Sequence, residues 1–360
     1  MNNYKYMAIV DWVKDYISSE GLQPNDRFLT EKQLCEIHGV SRQTVRQAMM
    51  HLEQENIISR VRGNGTFICE KPVVQQAPLN QKSVGVISTY FSDYIFPHIM
   101  TGIESVLGDA GYTMQLSITH NQVLEETKAL ESMLSSGVCG LIVEPSKSAL
   151  PNPNIALYKE LHDGGVPLVF FNAKYPWGNY PCVAMDDKAA GKVVTDYLIG
   201  CGHRSIAGMF VLDDIQGHLR YSGYMESCLA HNIPFSERNV FWFATSDRNS
   251  IFDYAKDKLL ELLKRSTAVV CYNDKLAVNL LKFCKENGIR VPDDLSVVGI
   301  DDSRYASICE VPLTTVHHPH SELGKAAARK LIGMMDHRTS EQRDEIIVPE
   351  LIVRSSVKKI

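Results

Sequence analysis

From residue 83 onward one pattern recurs along the chain. A run of four to six mostly apolar residues ends in a polar one and gives way to an amphipathic segment. The runs are Val84-Gly85-Val86-Ile87, Gly140-Leu141-Ile142-Val143 before Glu144, Leu168-Val169-Phe170-Phe171 before Asn172, and Ser205-Ile206-Ala207-Gly208-Met209-Phe210. Two more follow: Ala268-Val269-Val270-Cys271 before Tyr272-Asn273-Asp274, and Ser296-Val297-Val298-Gly299-Ile300 before Asp301-Asp302. A strand wetted on one face alternates polar and apolar residues, whereas one that is continuously apolar must be covered on both. A parallel sheet with helices on either side provides that cover. The expectation is an α/β chain, its first helix of this region lying around Phe96–Gly108. Residues 83–360 are too many for one sheet, so two doubly wound lobes are expected.

Open parallel sheets bind ligands beyond the carboxyl ends of their strands. The residues there are polar: Asp93, Glu144, Asn172, Asn273 and Asp301, with Arg220 early in a helix. Carboxylates, amides and a guanidinium suit a polyhydroxylated ligand, because each hydroxyl both donates and accepts. Phe91, Tyr94, Phe171, Tyr175 and Tyr272 stand close by in sequence to cover an apolar sugar face. Asp187, Asp274 and Asp302 read as caps or dipole partners at helix starts.

The first 69 residues follow other rules. Tyr6, Ile9, Val10, Val13 and Ile17 recur at helical spacing. Thr30 and Gln33 stand at capping-box spacing for a second helix, with Leu34 and Ile37 as its inner face and Gly39 as a left-handed cap. Ser41 suits the cap of a third helix, whose inner stripe is Val45, Ala48, Met49 and Leu52. Arg42, Gln43 and Arg46 fall on its other side. Two strand-like runs, Ile57–Val61 and Thr66–Cys69, are joined by Arg62-Gly63-Asn64-Gly65, a tight-turn signal. This is a helix-turn-helix with a β-wing. The second helix of such a pair enters the major groove, where arginine pairs with guanine. Residues 70–82, EKPVVQQAPLNQK, read as a linker between a head at 1–69 and a sensor at 83–360.

Charge does not announce DNA binding. The net charge is −5, and residues 1–70 hold eight Lys/Arg against nine Asp/Glu. The basic surface is local to residues 39–66, which carry Arg42, Arg46, Arg60 and Arg62 against Glu53 and Glu55. Nine scattered cysteines form no C-x-x-C pair, which argues against a disulfide framework or structural zinc. The opening MNNYKYMAIVDWVKDY lacks the apolar core and cleavage site of a secretory leader. No run is long enough to span a membrane, so a cytoplasmic protein is expected.

The run Leu29-Thr30-Glu31-Lys32-Gln33-Leu34, the run Gly39-Val40-Ser41-Arg42-Gln43-Thr44-Val45-Arg46-Gln47-Ala48 and the wing Arg62-Gly63-Asn64-Gly65-Thr66-Phe67 resemble the GntR class of winged helix-turn-helix regulators. That likeness implies DNA contacts from Glu31, Ser41, Arg42, Gln43, Thr44, Arg46 and the wing residues Arg62, Gly63, Asn64, Gly65 and Thr66. Lys5 joins them ahead of the first helix. Leu29 stands where the class usually has proline.

In the sensor, Gly202-His203-Arg204-Ser205-Ile206-Ala207, Arg220-Tyr221-Ser222-Gly223-Tyr224, Asn273-Asp274-Lys275-Leu276-Ala277 and the stretch from Val291 to Asp302 resemble the LacI/GalR sensing domain, a periplasmic-binding-protein-like fold. Its ligand positions fall on Asn172, Arg220, Asn273 and Asp301. At the first strand–helix loop, Asp93-Tyr94-Ile95-Phe96 replaces the commoner Asn-Pro-Phe-Phe. The pairing of this head with this sensor resembles the arabinose-responsive repressors. This implies L-arabinose as inducer and adds Glu144 and Lys147 to the pocket.

An enzyme is the rival class, but the chain lacks G-x-x-x-x-G-K-[ST], G-x-S-x-G and H-E-x-x-H. His317-His318-Pro319-His320 lacks the partners that complete a metal site, and neither metal nor cofactor is expected. The expected partners are operator DNA, a sugar and a second copy of the chain. A homodimer doubles the contacts of one small head on a near-palindromic operator. The alternative is the same architecture responding to another sugar, or acting as a ligand-activated corepressor-type regulator.

Overall fold

The computed structural model describes the chain apart from residues 1–5, 7, 8, 11, 14, 15, 18–21, 24, 55, 56, 62–64, 70–81, 92, 93, 235 and 337–342. It divides into two compact units, Met1–Asn80 and Gln81–Ile360.

In the first unit the described residues between Tyr6 and Ile17 are helical. A short strand β1 (Arg27–Phe28) follows, then the helices Glu31–His38 and Arg42–Gln54, and the strands β2 (Ile58–Val61) and β3 (Gly65–Ile68). Thr30 closes a full capping box with Gln33, satisfying donors that the first turn leaves orphaned. Gly39 ends that helix at φ 61°, a left-handed conformation that costs glycine little. Ser41 Oγ accepts the Thr44 N–H at 3.3 Å and starts the next helix. Ile9, Val10, Val13, Leu34, Val45, Ala48, Met49 and Leu52 form the core. Ile37, expected inside with Leu34, is instead 51% exposed. The helix has only eight residues, and Leu34 alone fills its buried face. The wing sheet runs β1-β3-β2, antiparallel throughout.

The second unit has two lobes, each a parallel sheet. Lobe one holds β4 (Ser83–Ser88), β5 (Thr113–Ile118), β6 (Gly140–Val143), β7 (Leu168–Phe171), β8 (Cys182–Met185) and β14 (Glu345–Ile347), in the order β14-β8-β7-β6-β4-β5. Lobe two holds β9 (Ile206–Val211), β10 (Val240–Phe243), β11 (Ala268–Cys271) and β12 (Ser296–Val298), in the order β10-β9-β11-β12. A two-stranded antiparallel ribbon pairs β13 (Thr315–His317) with β15 (Glu350–Ile352). The chain leaves lobe one after β8, and returns to it with the helix His320–Met335 and then β14. Each sheet is buried on both faces, which gives each lobe two apolar cores. This is the doubly wound α/β architecture that the apolar runs predict.

One helix pair near the cleft depends on glycine. The helices Asp187–Gly200 and Ile215–Ala230 touch backbone to backbone: a Cβ on Gly191 would sit 2.0 Å from Arg220 O, and one on Gly223 1.9 Å from Lys188 O. That approach delivers Arg220 to Asp187.

Candidate functional site: an inter-lobe cleft and a recognition helix

The strand ends of both lobes converge on a cleft of about 110 Å³. Tyr94, Glu144, Asn172, Arg220, Asn273 and Asp301 all line it. At its floor, Arg220, 2% exposed, donates from Nε to Asp187 Oδ1 at 2.8 Å, from Nη1 to the Tyr272 carbonyl at 2.6 Å, and from Nη2 to Asp301 Oδ1 at 3.2 Å. Its guanidinium also lies 4.8 Å from the Tyr272 ring centroid. Burial opposes its charge, yet Asp187 and Asp301 hold it protonated above its ordinary range. Asp187 titrates above the usual carboxylate range because burial outweighs Arg220. One guanidinium cannot neutralise two carboxylates, and Asp301 is pushed up to about 6, by burial first.

On the lobe-one side, buried Glu144 accepts Thr89 N–H at 2.8 Å on Oε2 and Asn172 Nδ2 at 2.7 Å on Oε1. Burial raises its pKa. Asn172, at φ 62°, is left with its Oδ1 buried and unpartnered among the described residues. Asn273 Oδ1 caps the helix Asp274–Glu286 through Leu276 N–H at 3.0 Å.

Among the described residues, three hydrogen bonds between side chains of opposite lobes tie the lobes together around the cleft. Tyr94 O–H donates to Asp301 Oδ2 at 2.6 Å, Asn121 Nδ2 to Thr245 Oγ1 at 2.7 Å, and Ser148 Oγ to Asp214 Oδ1 at 2.8 Å. Tyr90 adds a ring 4.4 Å from the Arg248 guanidinium.

The structure corrects several expectations. Lys147 does not line the cleft; its backbone turns at φ 46° and its N–H donates to Asn121 Oδ1 at 2.6 Å. Phe171 is a core residue of lobe one. Tyr175 is buried too, donating to Glu126 and to the Ser146 carbonyl rather than facing the cleft. Phe91 is 48% exposed and outside the cleft, leaving Tyr94 and Tyr272 as its aromatic wall from the expected set. Asp187 stands in the first turn of its helix, where a dipole partner is expected, but the cap is its neighbour Asp186 and its carboxylate pairs with buried Arg220. Asp274 likewise follows the cap Asn273; it is fully buried and accepts Thr315 O–H at 2.6 Å and Ser303 N–H at 2.8 Å. Asp302 pairs with Arg354 at 2.6 Å. Asp93 lies outside the described residues. Sequence reasoning did not find Tyr90, Asp214, Gln216, Arg248, Asn249 or His318 in the cleft wall. Most sit on loops or helix starts, which no strand-end rule reaches.

On the head, Arg42, Gln43 and Arg46 are all exposed on the helix Arg42–Gln54, and Ser41 is exposed at its start. Thr44 is half-buried. Glu31 is committed to arginines, accepting from Arg46 Nε at 3.2 Å and Arg60 Nη1 at 3.2 Å. Arg60 also pairs with Glu53, so one charge network joins both helices to the wing strand. Gly65 begins β3 at φ 119°. Thr66 is only 7% exposed, so its side chain faces the core rather than a DNA surface. Lys5, Arg62, Gly63 and Asn64 lie outside the described residues.

Comparison with known proteins matches both halves. Residues 5–68 match the gntR family of bacterial regulatory proteins, and residues 195–357 match the periplasmic binding protein-like domain. The chain is 40% identical over 359 residues to the arabinose metabolism transcriptional repressor of Geobacillus stearothermophilus, covering 99% of this chain and 98% of that one. It is 37% identical to the protein of the same name from Halalkalibacterium halodurans, covering 98% and 96%. Among solved structures, the transcriptional regulator CelR–cellobiose complex superimposes with a TM-score of 0.69 at 25% identity, over 88% of this chain and 91% of that one.

Proposed function

This chain belongs to the family of bacterial arabinose metabolism transcriptional repressors, and on that premise we propose that L-arabinose, bound in the inter-lobe cleft, is the signal that releases it from operator DNA. It is a DNA-binding transcriptional repressor with a GntR-type head and a sugar-sensing domain. The observation that carries the ligand reading is the buried trio of Asp187, Arg220 and Asp301 beside the Glu144–Asn172 pair. These groups offer fixed donors and acceptors to a neutral polyol, and their surplus of carboxylate disfavours an anion. Tyr94 and Tyr272 supply ring faces for the apolar side of a sugar.

The contact set proposed for the effector is Tyr94, Asn172, Arg220, Asn273 and Asp301, with Glu144 orienting Asn172. For DNA it is Arg42, Gln43 and Arg46, with Glu31 positioning Arg46. The division into a head at 1–69, a linker at 70–82 and a sensor at 83–360 is part of the reading, as are a cytoplasmic homodimer and two heads on a near-palindromic operator. Sugar that bridges both lobes favours their closed arrangement and shifts the heads off register. It does so only through a higher affinity for the closed state.

The test is a thermal-shift screen of the full chain against pentoses and hexoses. Ligand at about 100 times its Kd adds roughly 2.7 kcal/mol of stability. A shift with L-arabinose and none with its epimers is the expected result. A shift with a different sugar alone would overturn the arabinose assignment.

A further inference from the structure

The bonds between the lobes are of two kinds. Tyr94 reaches Asp301, and both residues belong to the contact set proposed for the sugar. The other kind avoids that set. Asn121 follows β5 on lobe one and is only 8% exposed, and both ends of its amide are committed. Its Oδ1 accepts the Lys147 N–H at 2.6 Å, and its Nδ2 donates across the lobe boundary to Thr245 Oγ1 at 2.7 Å. Thr245, after β10 on lobe two, donates its hydroxyl proton to Asp213 Oδ2 at 2.7 Å, and its backbone N–H to Asp213 Oδ1 at 2.8 Å.

Each partner in this relay fixes the orientation of the next. A threonine hydroxyl has one proton, and with that proton on Asp213 a lone pair is left for Asn121. The Asn121 amide cannot flip without setting its NH2 against the Lys147 N–H, donor against donor. The adjoining residues continue the seam: Ser148 Oγ donates to Asp214 Oδ1 at 2.8 Å and accepts the Ile215 N–H at 3.0 Å. The backbone on the lobe-one side is held in an uncommon form. His120, Asn121 and Lys147 have φ of 51°, 57° and 46°, in the left-handed region that residues other than glycine seldom occupy. Such conformations persist where their surroundings over-determine them, and they gather at ligand clamps and switch regions. Here they carry one amide to the boundary between the lobes.

We propose that Asn121 is a positioning residue of the effector response: its cross-lobe bond to Thr245 stabilises the closed arrangement without touching the sugar, and so sets the sugar concentration at which the operator is released. The inference rests on the closure reading above and adds to it a contribution that needs no ligand. Sugar shifts the lobes only through its preference for the closed state. The more of that state the relay populates in advance, the less closure subtracts from the sugar's apparent affinity.

The test compares full chains of wild type, Asn121→Gly, Thr245→Val, the double variant and Thr245→Ser. Calorimetric titration gives L-arabinose affinity. Anisotropy of an operator fragment, selected by the full chain from a random pool, gives DNA affinity as L-arabinose is raised. Glycine accepts the left-handed turn at low cost, and valine keeps the shape of threonine without its hydroxyl. Each single variant should weaken L-arabinose binding by about 2- to 10-fold, the worth of one hydrogen bond. The L-arabinose concentration for half-release should rise by the same factor, while operator affinity without sugar equals or exceeds that of wild type. The double variant should be no weaker than the singles, because both remove the same bond, and Thr245→Ser should match wild type. A merely structural role would lower operator affinity together with sugar affinity. That result, losses that add in the double variant, or unchanged L-arabinose affinity in both singles would each overturn the inference, while a wild type released by L-arabinose leaves the function reading standing. A wild type that binds no L-arabinose, or binds it and keeps its operator, would overturn that reading and this inference with it.

Discussion

Asp274 gives a prediction whose size follows from its surroundings. Its side chain is fully buried at the start of the helix Asp274–Glu286, and burial followed by the charge of Asp301 pushes it up to about 8. In the unfolded chain an aspartate titrates near 3.9. The folded state therefore keeps a proton that the unfolded state releases. The stability this contributes is fully present below about pH 4 and is lost as pH rises through 8. Between pH 5 and pH 7 the difference is close to one proton, or about 1.4 kcal/mol per pH unit, so roughly 3 kcal/mol across the interval. Asp274→Asn mimics the protonated acid. Its Oδ1 accepts the Ser303 N–H, and its amide donates to the Thr315 hydroxyl, which can rotate to accept. Asp301, at about 6, acts in the same direction in both proteins and largely cancels in their difference. Urea unfolding at pH 5, 6 and 7 measures this directly. The wild type should lose about 3 kcal/mol more than Asp274→Asn over those two units. Parallel profiles would show that Asp274 is ionised in the folded protein, and would refute the reasoning.

Other perturbations separate the roles of single residues. Arg220→Met leaves Asp187 and Asp301 without their cation, and should cost about 3–5 kcal/mol of stability by chemical denaturation and abolish the sugar-induced thermal shift. Gly191→Ala forces a methyl group against the Arg220 carbonyl; overpacking of about 1–3 kcal/mol or more should lower the melting temperature. Arg42→Ala removes, from each head of the proposed dimer, an exposed guanidinium proposed to enter the groove. At about 1–3 kcal/mol per contact, a dimer should lose roughly 30-fold or more in operator affinity by fluorescence anisotropy, with sugar affinity unchanged.

How much of this was legible in the sequence differed from element to element. Runs such as Leu168–Phe171 and Ala268–Cys271 announced central strands, because burial on both faces leaves no room for a polar residue. Edge strand β5, Thr-Met-Gln-Leu-Ser-Ile, went unread because its mixed polarity is compatible with other structures. The three-residue strands β13, β14 and β15 are set by pairing with distant segments and carry no periodicity of their own. Within the site, Asn172 after β7, Arg220 after β9 and Asp301 after β12 were found as polar residues in the expected places, far apart in sequence yet in one cleft. The pairing of Asp187 with Arg220 was not, since 33 residues separate them and only the close approach of their helices brings them together. Ile37 looked apolar and internal, yet a two-turn helix has only one side to bury. Lys147 and Tyr175 show the same limit. A residue near a strand end can turn either into the cleft or away from it, and the backbone after the strand decides which.

The central claim is that one ligand site controls one DNA site within the same chain. The most direct measurement is anisotropy of a labelled operator fragment, selected by the full-length protein from a random pool, titrated with that protein with and without saturating L-arabinose. Apparent affinity lower in the sugar's presence, restored when the sugar is removed by dialysis, is the predicted result. Affinity that is unchanged by a sugar the protein demonstrably binds would contradict coupling, and affinity that rises with the sugar would make the ligand a corepressor rather than an inducer.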